Sequence, residues 1–176
     1  GDASALVGLA SQPQRPYFEL IVGRGTRLGE ALAPLAPGAA VEVSPPCGNG
    51  FPAFDFRRND LYFVGHGVGL GPVRSAVLYT LTERGAFDKV RVLAEARYLD
   101  EIPCYDEFPR WQRAGIRVYQ VIARADFGKW RKGEQAYVHD LLADLGLDPA
   151  RSVVFACGPS DMLKGVQGVL REVGLA

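Results

Sequence analysis

The chain has 176 residues, of which 48% are hydrophobic, and its 20 Lys and Arg are matched by 20 Asp and Glu. That length suits one large domain or two small ones with a sizeable core. Zero net charge argues against a nucleic-acid partner, and no apolar run approaches the roughly 20 residues that cross a bilayer. Three scattered cysteines, Cys47, Cys104 and Cys157, form neither a disulfide framework nor a Cys-rich metal site, so a reducing cytoplasm is the expected compartment.

Residues 5–10 are apolar, but they are few and no basic segment precedes them, so they do not read as a signal peptide. Residues 17–22 and 41–43 read as strands, with a short helix over 28–35 that Pro37 and Gly38 stop. Residues 44–59 form a turn-rich linker. Strand and helix patterns then alternate: strand 61–64, helix 72–84, strand 89–94, helix 105–114, strand 116–122, helix 134–145, strand 152–156, helix 160–173. Gly115 and Gly146 stand just past helix ends, as carboxyl-terminal caps do. Such alternation predicts an α/β fold, a Rossmann-like parallel sheet with crossover helices.

Open sheets of this kind bind ligands beyond the carboxyl ends of their strands. Three segments meet there: Gly65 to Pro72, Glu95 to Arg97, and Cys157 to Pro159. The first, Gly65-His66-Gly67-Val68-Gly69-Leu70-Gly71-Pro72, joins a strand pattern to a helix pattern. Such a turn lets backbone N–H groups and the helix dipole meet a pyrophosphate. Its glycines serve equally for close helix–strand packing. His66 reads either as a phosphate contact or gate, or as a neutral space-filling side chain. Arg97 suits a ribose 2′-phosphate and Glu95 suits ribose hydroxyls, so NAD and NADP both stay open. Cys157 is either a wall beside a reacting group or a small buried hydrophobe; no His or Asp stands nearby in sequence to activate it. Thr26 reads as a helix N-cap or as a phosphate contact with Gly25 and Arg27. Trp111 and Trp130 read as packing or surface aromatics, and the basic run at 128–133 is too short to suggest nucleic acid.

These segments together resemble the ferredoxin–NADP reductase superfamily, nearest the branch of hydrogenase gamma subunits and dihydroorotate dehydrogenase electron-transfer subunits. Gly23-Arg24-Gly25-Thr26-Arg27 resembles its second flavin-phosphate segment, and Pro46-Cys47-Gly48-Asn49-Gly50-Phe51 its interdomain motif. Val64 to Pro72 resembles the nicotinamide-nucleotide pyrophosphate loop. Cys157-Gly158-Pro159 with Met162 resembles the Cys-Gly-Pro-x-x-Met segment. The resemblance implies a partial antiparallel flavin-type β-barrel over residues 1–52 and a nucleotide domain over 60–176. It implies NAD(P)H passing hydride to a flavin, with Gly65 to Pro72, Glu95, Arg97, Gly158, Pro159 and Met162 at the nucleotide and Cys157 beside the nicotinamide. It departs at the flavin: the family's Arg-x-Tyr-Ser falls on Ala5-Leu6-Val7-Gly8, which offers no cation for phosphate and no ring for the isoalloxazine. Weak or absent FAD binding is therefore expected, with the flavin borrowed from a redox partner subunit. The incomplete barrel leads us to expect such a partner or a homodimer. The rival reading is a flavin-free binding, scaffold or regulatory subunit.

Overall fold

The computed structural model describes residues 4–123 and 137–175. A short helix, α1 (Arg27–Leu32), precedes the alternating region. There follow β1 (Asp60–His66), α2 (Leu70–Thr82), β2 (Val90–Ala96), α3 (Phe108–Arg113), β3 (Arg117–Ile122), α4 (Val138–Asp144), β4 (Ser152–Cys157) and α5 (Ser160–Glu172). The strands form one four-stranded sheet in the order β3-β2-β1-β4, and all three pairings are parallel.

Each strand of the expected series is present, because its apolar residues serve both faces of the sheet. Leu61, Phe63, Val92 and Phe155 pack with Val73 and Val77 of α2 and Phe108 and Trp111 of α3. Tyr62, Val64, Leu93 and Val121 face Leu141 and Leu142 of α4 and Val166 of α5. A parallel sheet covered on both sides reads as continuous apolar runs rather than as alternation. Burying one such side chain stabilises the fold by about 1.5–3 kcal/mol. The helix expected from 134 begins at Val138; residues 134–136, Trp130 and the basic run at 128–133 lie outside the described residues.

The amino-terminal region departs from expectation. Neither 17–22 nor 41–43 is a strand, and the expected partial barrel is reduced to a single antiparallel bridge, Leu9 to Leu20, among the described residues before β1. A strand exists through its ladder, and these segments find almost none. Val41 and Val43 stay 54% and 52% exposed.

What order this region has comes from docking on α2. The Gly71 Cα direction meets Gly8 O and the Ala10 Cβ at ordinary contact distance. Arg74 Nη1 donates to Ala10 O at 2.6 Å and to Glu19 Oε2 at 2.8 Å, while its Nε donates to Glu107 Oε1 at 2.6 Å. Burial opposes the Arg74 charge, but Glu19 and Glu107 outweigh it and raise its basicity. One guanidinium thus ties together the amino-terminal segment, α2 and the loop before α3.

At the opposite, amino edge of the sheet, Asp60 is buried. Its carboxylate accepts from Lys89 Nζ at 2.6 Å and from the Lys89 N–H at 3.2 Å. Burial alone would raise its pKa; the Lys89 bonds and charge prevail and hold it below the ordinary 3.8. A depressed folded-state value contributes stability that is present above the unfolded value and is lost as pH falls through the folded one. Asp60→Asn is therefore expected to lower the melting temperature at neutral pH, and the gap to the parent should close below about pH 3.8, as calorimetry at stepped pH would read. A gap independent of pH would remove the charge from this account.

Candidate functional site

The register of the sheet sets the site. Gly65 stands opposite Ala94 on one side and Cys157 on the other, and His66 stands opposite Glu95. The three segments expected to converge on the carboxyl edge therefore do so.

After His66 the chain makes one 3-10 turn, Gly67–Gly69, and enters α2 without a side-chain cap. The two uses open to the glycines are divided among them. Gly67 takes φ +51°, and a Cβ there would meet nothing within 4 Å. The space beside it is open to a ligand. Gly69 does the opposite: a Cβ would lie 2.3 Å from Cys157 O and 2.7 Å from Cys157 C, so the turn rests directly on the backbone of β4. A Cβ on Gly65 would lie 2.7 Å from Leu70 Cδ2, again a packing requirement. Leu70 is buried, Gly71 lies against Ala10, and Pro72 lies under Gly8. Of the eight-residue stretch, Gly67 and Val68, at the amino end of α2, remain open to a phosphate, while the Leu70 N–H bonds Gly67 O and Pro72 has none to offer. Val68 is 50% exposed and reaches toward Gly23.

Glu95, considered above as a ribose acceptor, is turned inward. It is 2% exposed; Oε1 accepts the Val138 N–H at 2.9 Å, and Oε2 lies 3.0 Å from His66 Nδ1. Both oxygens are committed within the protein. Arg97 follows β2 directly, is exposed, and has no ionic partner among the described residues. Beyond it lies a mostly apolar cleft of about 470 Å³ lined by Leu99, Asp100, Ile102 and Tyr105.

Cys157 is half-buried, and burial pushes its thiol upward, away from thiolate. That disfavours the thiolate a nucleophile would need. A Cβ on Gly158 would lie 2.8 Å from Met162 Cε and 3.0 Å from the His66 Cβ, so Gly158 is pressed between β1 and α5. Pro159 precedes α5, and Met162 is buried beneath the site. In the flavin-like segment, Thr26 Oγ1 donates to Gly23 O at 2.7 Å and accepts the Gly29 N–H at 3.0 Å, which is an N-cap. Gly25 is open, and Arg27 begins α1. The His66–Glu95 pair was missed from sequence because it arises from cross-strand register. Two polar residues ending adjacent strand patterns were the available signal.

The model of the oxidoreductase NAD-binding domain family matches residues 63–168. Sulfhydrogenase 1 subunit gamma of Pyrococcus furiosus is 27% identical over 96% of this chain and 58% of its own length. The electron transfer subunit of dihydroorotate dehydrogenase B (NAD(+)) of Shouchella clausii is 29% identical over 91% of this chain and 57% of its own length. The chain thus spans well under two thirds of these relatives. A ferredoxin NADP+ reductase from Neisseria gonorrhoeae, solved with bound FAD and NADP, superposes with a TM-score of 0.76 at 19% identity, over 96% of this chain and 72% of that one. With the sheet order, the glycine turn and the Cys-Gly-Pro edge in place, the chain belongs to the oxidoreductase NAD-binding domain family and has a ferredoxin-reductase-like fold.

Proposed function

We propose that this chain holds a nicotinamide dinucleotide across the carboxyl edge of its sheet and presents it to a flavin or redox partner subunit. The observation that carries the reading is the open, left-handed Gly67 between β1 and the uncapped amino end of α2. An anion there meets the positive end of a 13-residue helix. The bound nucleotide supplies the hydride. The chain's own residues orient it: Gly67 and Val68 at the diphosphate, Arg97 and the cleft beyond it at the adenosine end, Cys157 as the wall at the other end. Proximity is what such a module contributes, since the chemistry belongs to the cofactors.

The burial of Glu95 bears on the choice of nucleotide. With that carboxylate committed to His66 and Val138, the exposed Arg97, which has no ionic partner among the described residues, suits a 2′-phosphate at the ribose end. We therefore favour NADP(H) over NAD(H). Residues 60–176 act as the nucleotide domain. Residues 1–52 act as the remnant of a flavin-type unit, with a redox partner subunit or second copy completing it in the cytoplasm.

Calorimetric titration tests the site. NADPH is expected to bind more tightly than NADH, and Arg97→Ala should lower NADPH affinity by roughly 10- to 100-fold, as for a lost charged hydrogen bond, while changing NADH affinity little. Absence of binding by either nucleotide at millimolar concentration would end this reading.

The flavin expectation is tested separately. Purified chain should release no stoichiometric FAD on acid treatment. Ala5→Arg combined with Val7→Tyr should raise flavin affinity if the cradle is otherwise intact. Yellow protein with bound FAD in the parent chain would overturn it.

A further inference from the structure

Among the described residues, the buried carboxylates are those of Asp60 and Glu95. Lys89 accounts for the first. Glu95 lies at the opposite edge, at the nucleotide turn, and its partner is an imidazole. A carboxylate only accepts, so His66 Nδ1 carries the hydrogen of their 3.0 Å contact. The other nitrogen, Nε2, has no partner among the described residues and is not one of the buried polar atoms left without one. With the side chain 30% exposed, Nε2 reaches the surface. His66 immediately precedes the open Gly67.

We propose that His66 is a proton-coupled ligand of the nucleotide diphosphate, with Glu95 as its positioning residue. This rests on the nucleotide site proposed above and adds its regulation by pH. Diphosphate entering beside Gly67 draws a proton from solvent onto Nε2. The imidazolium then donates from Nδ1 to Glu95 and from Nε2 to a phosphate oxygen. No covalent bond forms; one proton is taken up for each nucleotide bound. Imidazole is the side chain that changes charge between about pH 5 and 8. An anion on one nitrogen and a carboxylate on the other both favour its charged form.

Among the described residues, few other charges compete. From β2 the group facing His66 is Glu95 itself. From β4 the nearest titratable group is the Cys157 thiol, which burial keeps protonated. From α5, Gly158 is backed by the uncharged Met162. On α4, Val138 contributes its N–H to Glu95. His139 stacks on Tyr137, has Asp140 at 3.9 Å, and packs on Gly165 of α5.

Because binding and protonation are linked, each strengthens the other. Titration of the full chain with NADP+ at about pH 7.5 in PIPES and in Tris should therefore give different heats, since the buffers release the proton at different enthalpy. Affinity should fall by up to about tenfold per pH unit on the alkaline limb, the slope of one linked proton. His66→Gln keeps polar contacts but takes up no proton: its heats should agree between buffers and its affinity should be flat with pH. Glu95→Gln should move the alkaline limb to lower pH, because a neutral amide no longer favours the imidazolium. Circular dichroism of both variants checks that they fold. Equal parent heats in the two buffers, or a buffer difference that survives His66→Gln, would overturn the proposal while leaving the nucleotide site standing. An unmoved limb in Glu95→Gln would remove Glu95 from it. If the parent chain binds no nucleotide at any pH, the site itself fails, and this inference with it.

Discussion

The turn after β1 lies on the backbone of β4 at Gly69, where a methyl group would fall 2.3 Å from the Cys157 carbonyl oxygen. A contact that close cannot relax by rotating a side chain, since both partners are main chain. It fixes the height of the Gly67–Gly69 turn above the sheet and the direction in which α2 leaves it. It also places Gly158 against the His66 Cβ and Met162. The open Gly67, the imidazole and Cys157 are thus held in one geometry by the main chain. Sites built on regular elements in this way need little reorganisation to act.

The same constraint separates residues that a sequence cannot separate. In Gly65-His66-Gly67-Val68-Gly69, each glycine suits a phosphate or a tight contact equally well. Position decides: Gly65 and Gly69 face Leu70 and β4, and Gly67 faces open space. The sheet was legible because apolar runs such as Leu61 to Val64 were bounded by turn residues, and the helix patterns followed at crossover length. Residues 17–22 misled because β-branched and aromatic residues record only fitness for a pleated surface, not the existence of a neighbour. The pairing of His66 with Glu95 spans 29 residues of sequence and exists only in the parallel register. No periodicity within either segment announces it.

Glu95 also shows how a residue's type can point to the wrong partner. An acid at the end of the second strand of a dinucleotide fold suggests a ribose contact. Here it closes the amino end of α4 instead, with Val138 N–H on one oxygen and His66 on the other. That use turns it inward, while Arg97 stays exposed and without an ionic partner among the described residues. Specificity at such an edge is decided as much by which groups the fold consumes as by which it supplies.

The same reasoning bears on the amino-terminal departures from the flavin motif, which are not of one kind. Ala5 is exposed, so an arginine would enter solvent without a clash. Val7 is partly buried, and a ring there would have to find room beside the bridge at Leu9. Gly8 differs from both: a Cβ would lie 2.2 Å from Pro72 Cγ, with Pro72 itself fixed at the start of α2. Restoring a serine there would force the segment off the helix that Arg74 ties it to through Ala10 and Glu19. Position 5 points to solvent, position 7 is confined, and position 8 is part of the packing of α2. The glycine at 8 is therefore a packing requirement, set by the close approach of the amino-terminal segment to α2.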